Sequence, residues 1–177
     1  MITATILFIA YKIPDMEEIK ANILELEEIN LVSQEIVYAQ RDTMTTQDKV
    51  FEYLKSKGLG TVQIAGIMGN IEQESSFIPD CIESNGIGFG LIQWSFQRRT
   101  DLFNYANDPY DMYQQLDFLL YELDRQWTGN YKQIFYNSND VEEVANAFCW
   151  GFERPSKRYA NIDYRIESAK KYYEMYK

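Results

Sequence analysis

The segment GIMGNIEQESSFIPD (66–80) runs an apolar helical stripe straight into two carboxylates. Ile64, Ile67, Met68 and Ile71 recur at three- and four-residue steps, the period of one buried helix face. Thr61 is placed to cap this helix, and the polar turn after it predicts an end near Glu74 and Ser75. Glu74 lies three residues after Ile71 and seven after Ile67, so it continues the buried stripe. Glu72 points roughly 200° away at 3.6 residues per turn. A carboxyl at the inner end of an apolar face is stripped of water, which raises its pKa. A Glu still protonated near neutrality is what a general acid requires. The same placement also fits a buried Glu paired with Arg or Tyr for stability, and the two readings stand side by side.

The next informative stretch is NGIGFGLIQWS (85–95). Gly86, Gly88 and Gly90 alternate with Asn85, Ile87 and Phe89, and three alternating glycines permit close approach of a ligand or of the preceding helix. Gln93 and Trp94 follow with an amide and a large aromatic face, groups that bind sugars through hydroxyl hydrogen bonds and through packing on the apolar ring face. Core packing is the competing reading of Trp94. A short strand pair around 87–95 is the one β signal in the chain.

Around these segments the chain reads as short helices. One is predicted from Thr46 through Val50, Phe51 and Leu54 to a stop at Gly58 and Gly60; others fall at about 97–106, 111–126, 140–152 and 163–176. Residues 15–40 predict a longer helix with Asp15 as cap, an apolar stripe of Met16, Ile19, Ile23, Leu26, Ile29 and Val32, and an acidic outer face; the stripe requires a partner. The run Arg41–Thr46 breaks it. The division expected is an N-terminal extension, 1–44, and a catalytic domain, 45–177. MITATILFIA (1–10) lacks a basic leader and reads as a strand or packed arm. The fold class is mainly α, a bundle of short helices with a small β-hairpin or loop beside a cleft.

Composition removes whole classes of chemistry. The 177 residues include no histidine, so no Ser-His-Asp triad, Cys-His dyad or HExxH zinc site can be built. Carboxylates, Tyr, Lys or backbone groups must carry any proton transfer. The net charge of −10 argues against a nucleic-acid partner. No run of 18 apolar residues occurs to span a membrane. Cys81 and Cys149 are too few for a disulfide framework. Neither a metal nor a cofactor is required.

The pairing of GNIEQESSFIP with GFGLIQW resembles the phage tail lysozyme family, peptidoglycan-degrading domains of the lysozyme-like superfamily. The turn Glu74-Ser75-Ser76-Phe77-Ile78-Pro79 carries the match, supported by QQLDFLLYEL (114–123) and GFERP (151–155). The resemblance covers about 46–177. It implies a lysozyme-like fold and a muramidase cleaving the β-1,4 bond between N-acetylmuramic acid and N-acetylglucosamine, with Glu74 protonating the glycosidic oxygen. Gly88, Phe89, Gly90, Gln93 and Trp94 would then hold the sugar, with Phe152 and Glu153 nearby; family members often carry Tyr where this chain has Phe152. Glycosidic cleavage usually uses a second carboxylate, for which the candidates are Glu83, then Asp80, then Glu153. Two alternatives accompany this reading: a lytic transglycosylase, and a wall-binding or virion structural module without activity. The implied partners are peptidoglycan glycan strands and other phage tail proteins, and the implied setting is extracellular or virion-associated. Tyr105, Tyr110, Tyr113 and Tyr121 could line a groove, and Arg98 and Arg99 could meet wall carboxylates.

Overall fold

A computed structural model describes residues 15–177, with the backbone alone for 36–42, and the apolar segment 1–10 lies outside the described residues. The chain divides into two compact units, 1–43 and 44–177. In the first, α1 (Met16–Thr43) starts at Asp15, whose carboxylate accepts from the N–H groups of Glu17 (3.0 Å) and Glu18 (2.8 Å). Glu17 and Glu18 in the first turn also favour the helix dipole. The helix runs through the expected break to Thr43, and Ile23, Leu26, Ile29 and Val32 of its stripe are exposed.

The second unit holds α2 (Thr46–Ser56), α3 (Thr61–Ser75), α4 (Phe96–Tyr105), α5 (Met112–Arg125), α6 (Asn130–Asn137), α7 (Val141–Ala147) and α8 (Ile162–Tyr176). The cap of α2 lies one residue earlier than expected. Thr45 holds that position, accepting from the Asp48 N–H at 3.1 Å while the Asp48 carboxylate accepts from the Thr45 N–H at 3.0 Å. α3 is capped by Gly60, with Thr61 as its first helical residue. The helix expected over 140–152 is α7 followed by a π-helical turn, Phe148–Glu153. α6 was not legible: NYKQIFYN mixes amides, a lysine and tyrosines, and Phe135 is its one fully buried residue.

α3 is the central helix, packed chiefly against α8 and also against α7 and α2. Ile64, Ile67, Met68 and Ile71 are all fully buried, each contributing about 1.5–3 kcal/mol of apolar burial. The close crossing with α8 depends on Gly69, where a Cβ would run into the Arg165 carbonyl oxygen and sit 2.6 Å from the Ala169 nitrogen. α8 is pinned at its far end by Tyr176, which stacks on Phe51 at 4.1 Å and donates to Asp48, and by Tyr172, which donates to Glu72.

The architecture is mainly helical and consistent with a lysozyme-like bundle. The expected hairpin is reduced to two isolated antiparallel bridges, Ile82–Phe89 and Phe89–Trp94, with no strand among the described residues. Phe89 and Trp94 exchange backbone hydrogen bonds of 3.1 and 2.9 Å. A ladder cannot extend between them, because the Leu91 N–H is taken by the Gln115 side chain (2.9 Å) and Gln93 adopts a left-handed backbone, φ 51°.

Candidate active-site cleft

A cleft of about 480 Å³ opens at the C-terminal end of α3, lined by residues of the 81–95 loop and of the 153–159 segment. Glu74 reaches it from the last turn of α3, and its carboxylate is clamped by Arg165 of α8, Nη2 to Oε1 at 2.5 Å. Arg165 is itself buried and fully used: Nε donates to the Ala160 carbonyl (2.6 Å) and Nη1 to Asn70 Oδ1 (2.9 Å). Asn70 passes the network on to the carbonyls of Gly66 and Ala145. Of the two readings of Glu74, an isolated dry acid or a carboxylate held by a cation, the geometry supplies the cation while leaving the carboxylate facing the cleft.

The dry acid is Glu153. It ends the π-helical turn, lines the cleft, and has Oε1 buried without a hydrogen-bond partner. Burial first, and then the negative charge of Glu74, push its carboxyl well above the ordinary range; Arg98 and Arg165 oppose this, and Glu122 adds to it.

This carries a stability consequence. A carboxyl whose folded pKa exceeds its unfolded pKa contributes stability that is complete below the unfolded value and is lost as pH rises through the folded one. Glu153→Gln cannot ionise, so its stability relative to the native chain should grow between pH 4 and pH 8. The gain is about 1.4 kcal/mol for every tenfold by which folding tightens the hold of Glu153 on its proton. Calorimetric melting at the two pH values measures it. A gap that does not widen with pH would show that folding does not raise the Glu153 carboxyl.

Gln93 completes the floor. Its Nε2 donates to the carbonyls of Gly90 (2.8 Å) and Cys81 (3.2 Å), leaving a buried Oε1 without a partner. Gly88 makes room for this amide, since a Cβ there would stand 2.5 Å from Oε1. An unpaired buried acceptor is costly, and a donor arriving with a ligand would relieve the cost.

The remaining expected residues divide. Glu83 lines the cleft and is exposed; Asp80 is exposed but lies outside the lining, because the turn after Pro79 carries it away. Gly88, Phe89 and Gly90 lie behind the floor rather than in it, all three buried. Trp94 offers no face to a sugar. It is fully buried, and its indole N–H donates to Glu122 (2.7 Å), which also takes two bonds from Arg98 (2.7 and 2.9 Å). Phe152 belongs to the core, stacked on Phe148 at 4.6 Å with Arg98 over its ring at 4.7 Å. Arg98 is committed to Glu122, and Arg99 donates to the carbonyls of Gly86 and Ile87, so neither is free for wall carboxylates. Tyr105 and Tyr121 pack on Phe118, Tyr110 on Phe89 and Tyr113 on Tyr53, all away from this cleft.

The sequence reading missed Arg165, Arg154 and Tyr159. No local signal marks Arg165. The run RPSKRY (154–159), three cations without an acid in an acidic chain, was a visible signal for the other two. Cys81 and Cys149 are both free thiols, and burial, foremost among the causes, pushes Cys149 up to about 11, so it is a neutral packing residue. Among the described residues no group of His, Cys, Asp and Glu is arranged to hold a metal, and no helix is long and apolar enough to cross a membrane.

Residues 45–176 match the phage tail lysozyme family. Over 141 residues the chain is also 26% identical to Morphogenesis protein 1 of Bacillus phage B103, an alignment covering 70% of this chain and 38% of that protein. The chain therefore spans well under two thirds of that relative's length.

Proposed function

The chain belongs to the phage tail lysozyme family, and from that premise we propose that it degrades peptidoglycan as a muramidase, cleaving the β-1,4 bond between N-acetylmuramic acid and N-acetylglucosamine. The observation that carries the reading is the presence, in one cleft, of Glu74 clamped by Arg165 and of Glu153 with a buried, unpartnered Oε1. Glu74 is the general acid: its proton goes to the bridging oxygen, the C1–O bond breaks with its electron pair passing to that oxygen, and the sugar passes through an oxocarbenium-like state. Glu153 lies in the same cleft, its carboxyl pushed upward by burial and by the charge of Glu74. Glu83, on the 81–95 loop that lines the cleft, is the base that takes a proton from the water attacking C1. Gln93 Oε1 accepts from a sugar hydroxyl or acetamido N–H. Arg165 holds Glu74 in place throughout.

Association with a virion, or action outside the host cell, follows from the same reading, supported by the phage relative. Product mass spectrometry on purified peptidoglycan tests the function. Muramyl reducing ends that carry oxygen from labelled water are expected. A 1,6-anhydromuramyl end would make the protein a lytic transglycosylase, and binding to the wall without cleavage would leave a structural module.

A further inference from the structure

The cations around the cleft are not equivalent. Arg98 is bound to Glu122, and Arg165 to Glu74, Asn70 and the Ala160 carbonyl. Arg154, on the cleft wall, makes no side-chain hydrogen bond or ion pair among the described residues. It occupies a left-handed backbone position, φ 56°, with its N–H fixed to the Cys149 carbonyl at 2.8 Å. Its Cα is therefore anchored while its guanidinium is free. It lines both this cleft and the neighbouring cavity of about 140 Å³ beside Gln126, Trp127 and Thr128. Lys157 and Arg158 follow on the same segment, both exposed, and no acid occurs from 154 to 162. Tyr159, also on this wall and 68% exposed, lies beneath the Arg158 guanidinium at 5.5 Å. In a chain of net charge −10, Arg154 is, among the described residues, the uncommitted cation in the lining of this cleft, and Glu83 on the 81–95 loop is an uncommitted carboxylate there.

We propose that the wall formed by residues 154–159 is a subsite for the peptide stem of a muramyl residue, with the Arg154 guanidinium taking a stem carboxylate and Tyr159 receiving the apolar face of the adjoining sugar. The inference rests on the peptidoglycan reading and narrows it: the preferred substrate is the peptide-substituted strand, not the bare glycan. The charge pattern favours the stem. N-acetylglucosamine is neutral, whereas the lactyl group of muramic acid carries a carboxylate-bearing peptide within one ring of the scissile bond, or a single lactyl carboxylate where the stem is absent. A free guanidinium meets a carboxylate with two parallel hydrogen bonds, among the stronger polar contacts available. A hydroxyl does not use that fork.

The test compares the full chain with Arg154→Gln and with Lys157→Gln/Arg158→Gln. The substrates are peptidoglycan freed of teichoic acid, and the same glycan after amidase has removed the stems and carbodiimide coupling to methylamine has capped the lactyl carboxylates so exposed. The quantity read is the ratio of kcat/KM on the stem-bearing substrate to that on the stem-free one. It should fall about tenfold or more in Arg154→Gln, the scale of a lost charge-assisted contact, and by less in the double variant. An unchanged ratio in Arg154→Gln overturns the proposal. So does a change seen only when teichoic acid is left on the wall, which would make the anion a phosphodiester. Co-sedimentation of Glu74→Gln, with and without Arg154→Gln, on the same two substrates gives a second readout independent of cleavage. If neither substrate is cut by the native chain, the muramidase reading fails, while a stem-dependent loss of sedimentation still supports the subsite and its absence still refutes it.

Discussion

Glu74→Gln is expected to lose about 10²–10⁴-fold in the rate of reducing-end release, the usual contribution of a positioned proton donor. Gln keeps the size of the side chain, and its amide oxygen can still accept from Arg165, so far-ultraviolet circular dichroism should match that of the native chain. The melting temperature should nevertheless fall, since Arg165 is buried and loses its counter-charge. Assays therefore belong well below the transition. Glu74→Asp makes the complementary point: it retains a carboxyl but withdraws it by one methylene, and near-attack geometry is sensitive to displacements on the order of 1 Å. Native rates in Glu74→Gln would remove Glu74 from the chemistry and move attention to Glu153, which also lines the cleft.

The second large effect is predicted for Arg165→Met. This substitution keeps the buried volume of the stem but removes every donor from a side chain that serves Glu74, Asn70 and the Ala160 carbonyl. Breaking a buried pair by removing one partner costs about 3–5 kcal/mol, against a total stability of about 5–15 kcal/mol for a domain. Urea unfolding should show a lower midpoint with an unchanged slope. The double variant Arg165→Met/Glu74→Gln should recover part of the loss, because the stranded carboxylate is gone, and the cycle reports the coupling directly. A cost under about 1 kcal/mol in Arg165→Met would mean that the pair behaves as an exposed one, and the clamp on Glu74 would have to be abandoned.

The two outcomes separate chemistry from architecture. Glu74→Gln acts on the reacting proton with modest damage to the fold. Arg165→Met acts on the fold and, through it, on the orientation of Glu74. Glu153→Gln should do neither at pH 4 and should reveal itself only as pH rises.

Much of this was legible in the sequence, for identifiable reasons. The helices with strong apolar periodicity, α2, α3, α5 and α8, lie near the bounds their spacing predicts, because a buried stripe is a local pattern. Legibility ends where the pattern is weak or shared. α6 carries one buried ring among polar residues. The π-helical turn is indistinguishable by period from the α7 that precedes it. Trp94 suits both a sugar platform and the core by its sequence position; the choice rests on Glu122 and Arg98, whose approach to the indole no local spacing encodes.

The same division holds for the cleft. Residue spacing along α3 is enough to put Glu74 at the inner end of an apolar helix, because helical geometry relates positions only a turn or two apart. Which charge it meets there is decided elsewhere: Arg165 stands 91 residues away and arrives only because Gly69 lets α8 press against α3. The isolation of Glu153 likewise arises from how the π-helical turn seats its carboxyl beside Glu74 and away from any donor. Electrostatic environment is set by through-space distance, and in a folded chain that distance is a product of packing.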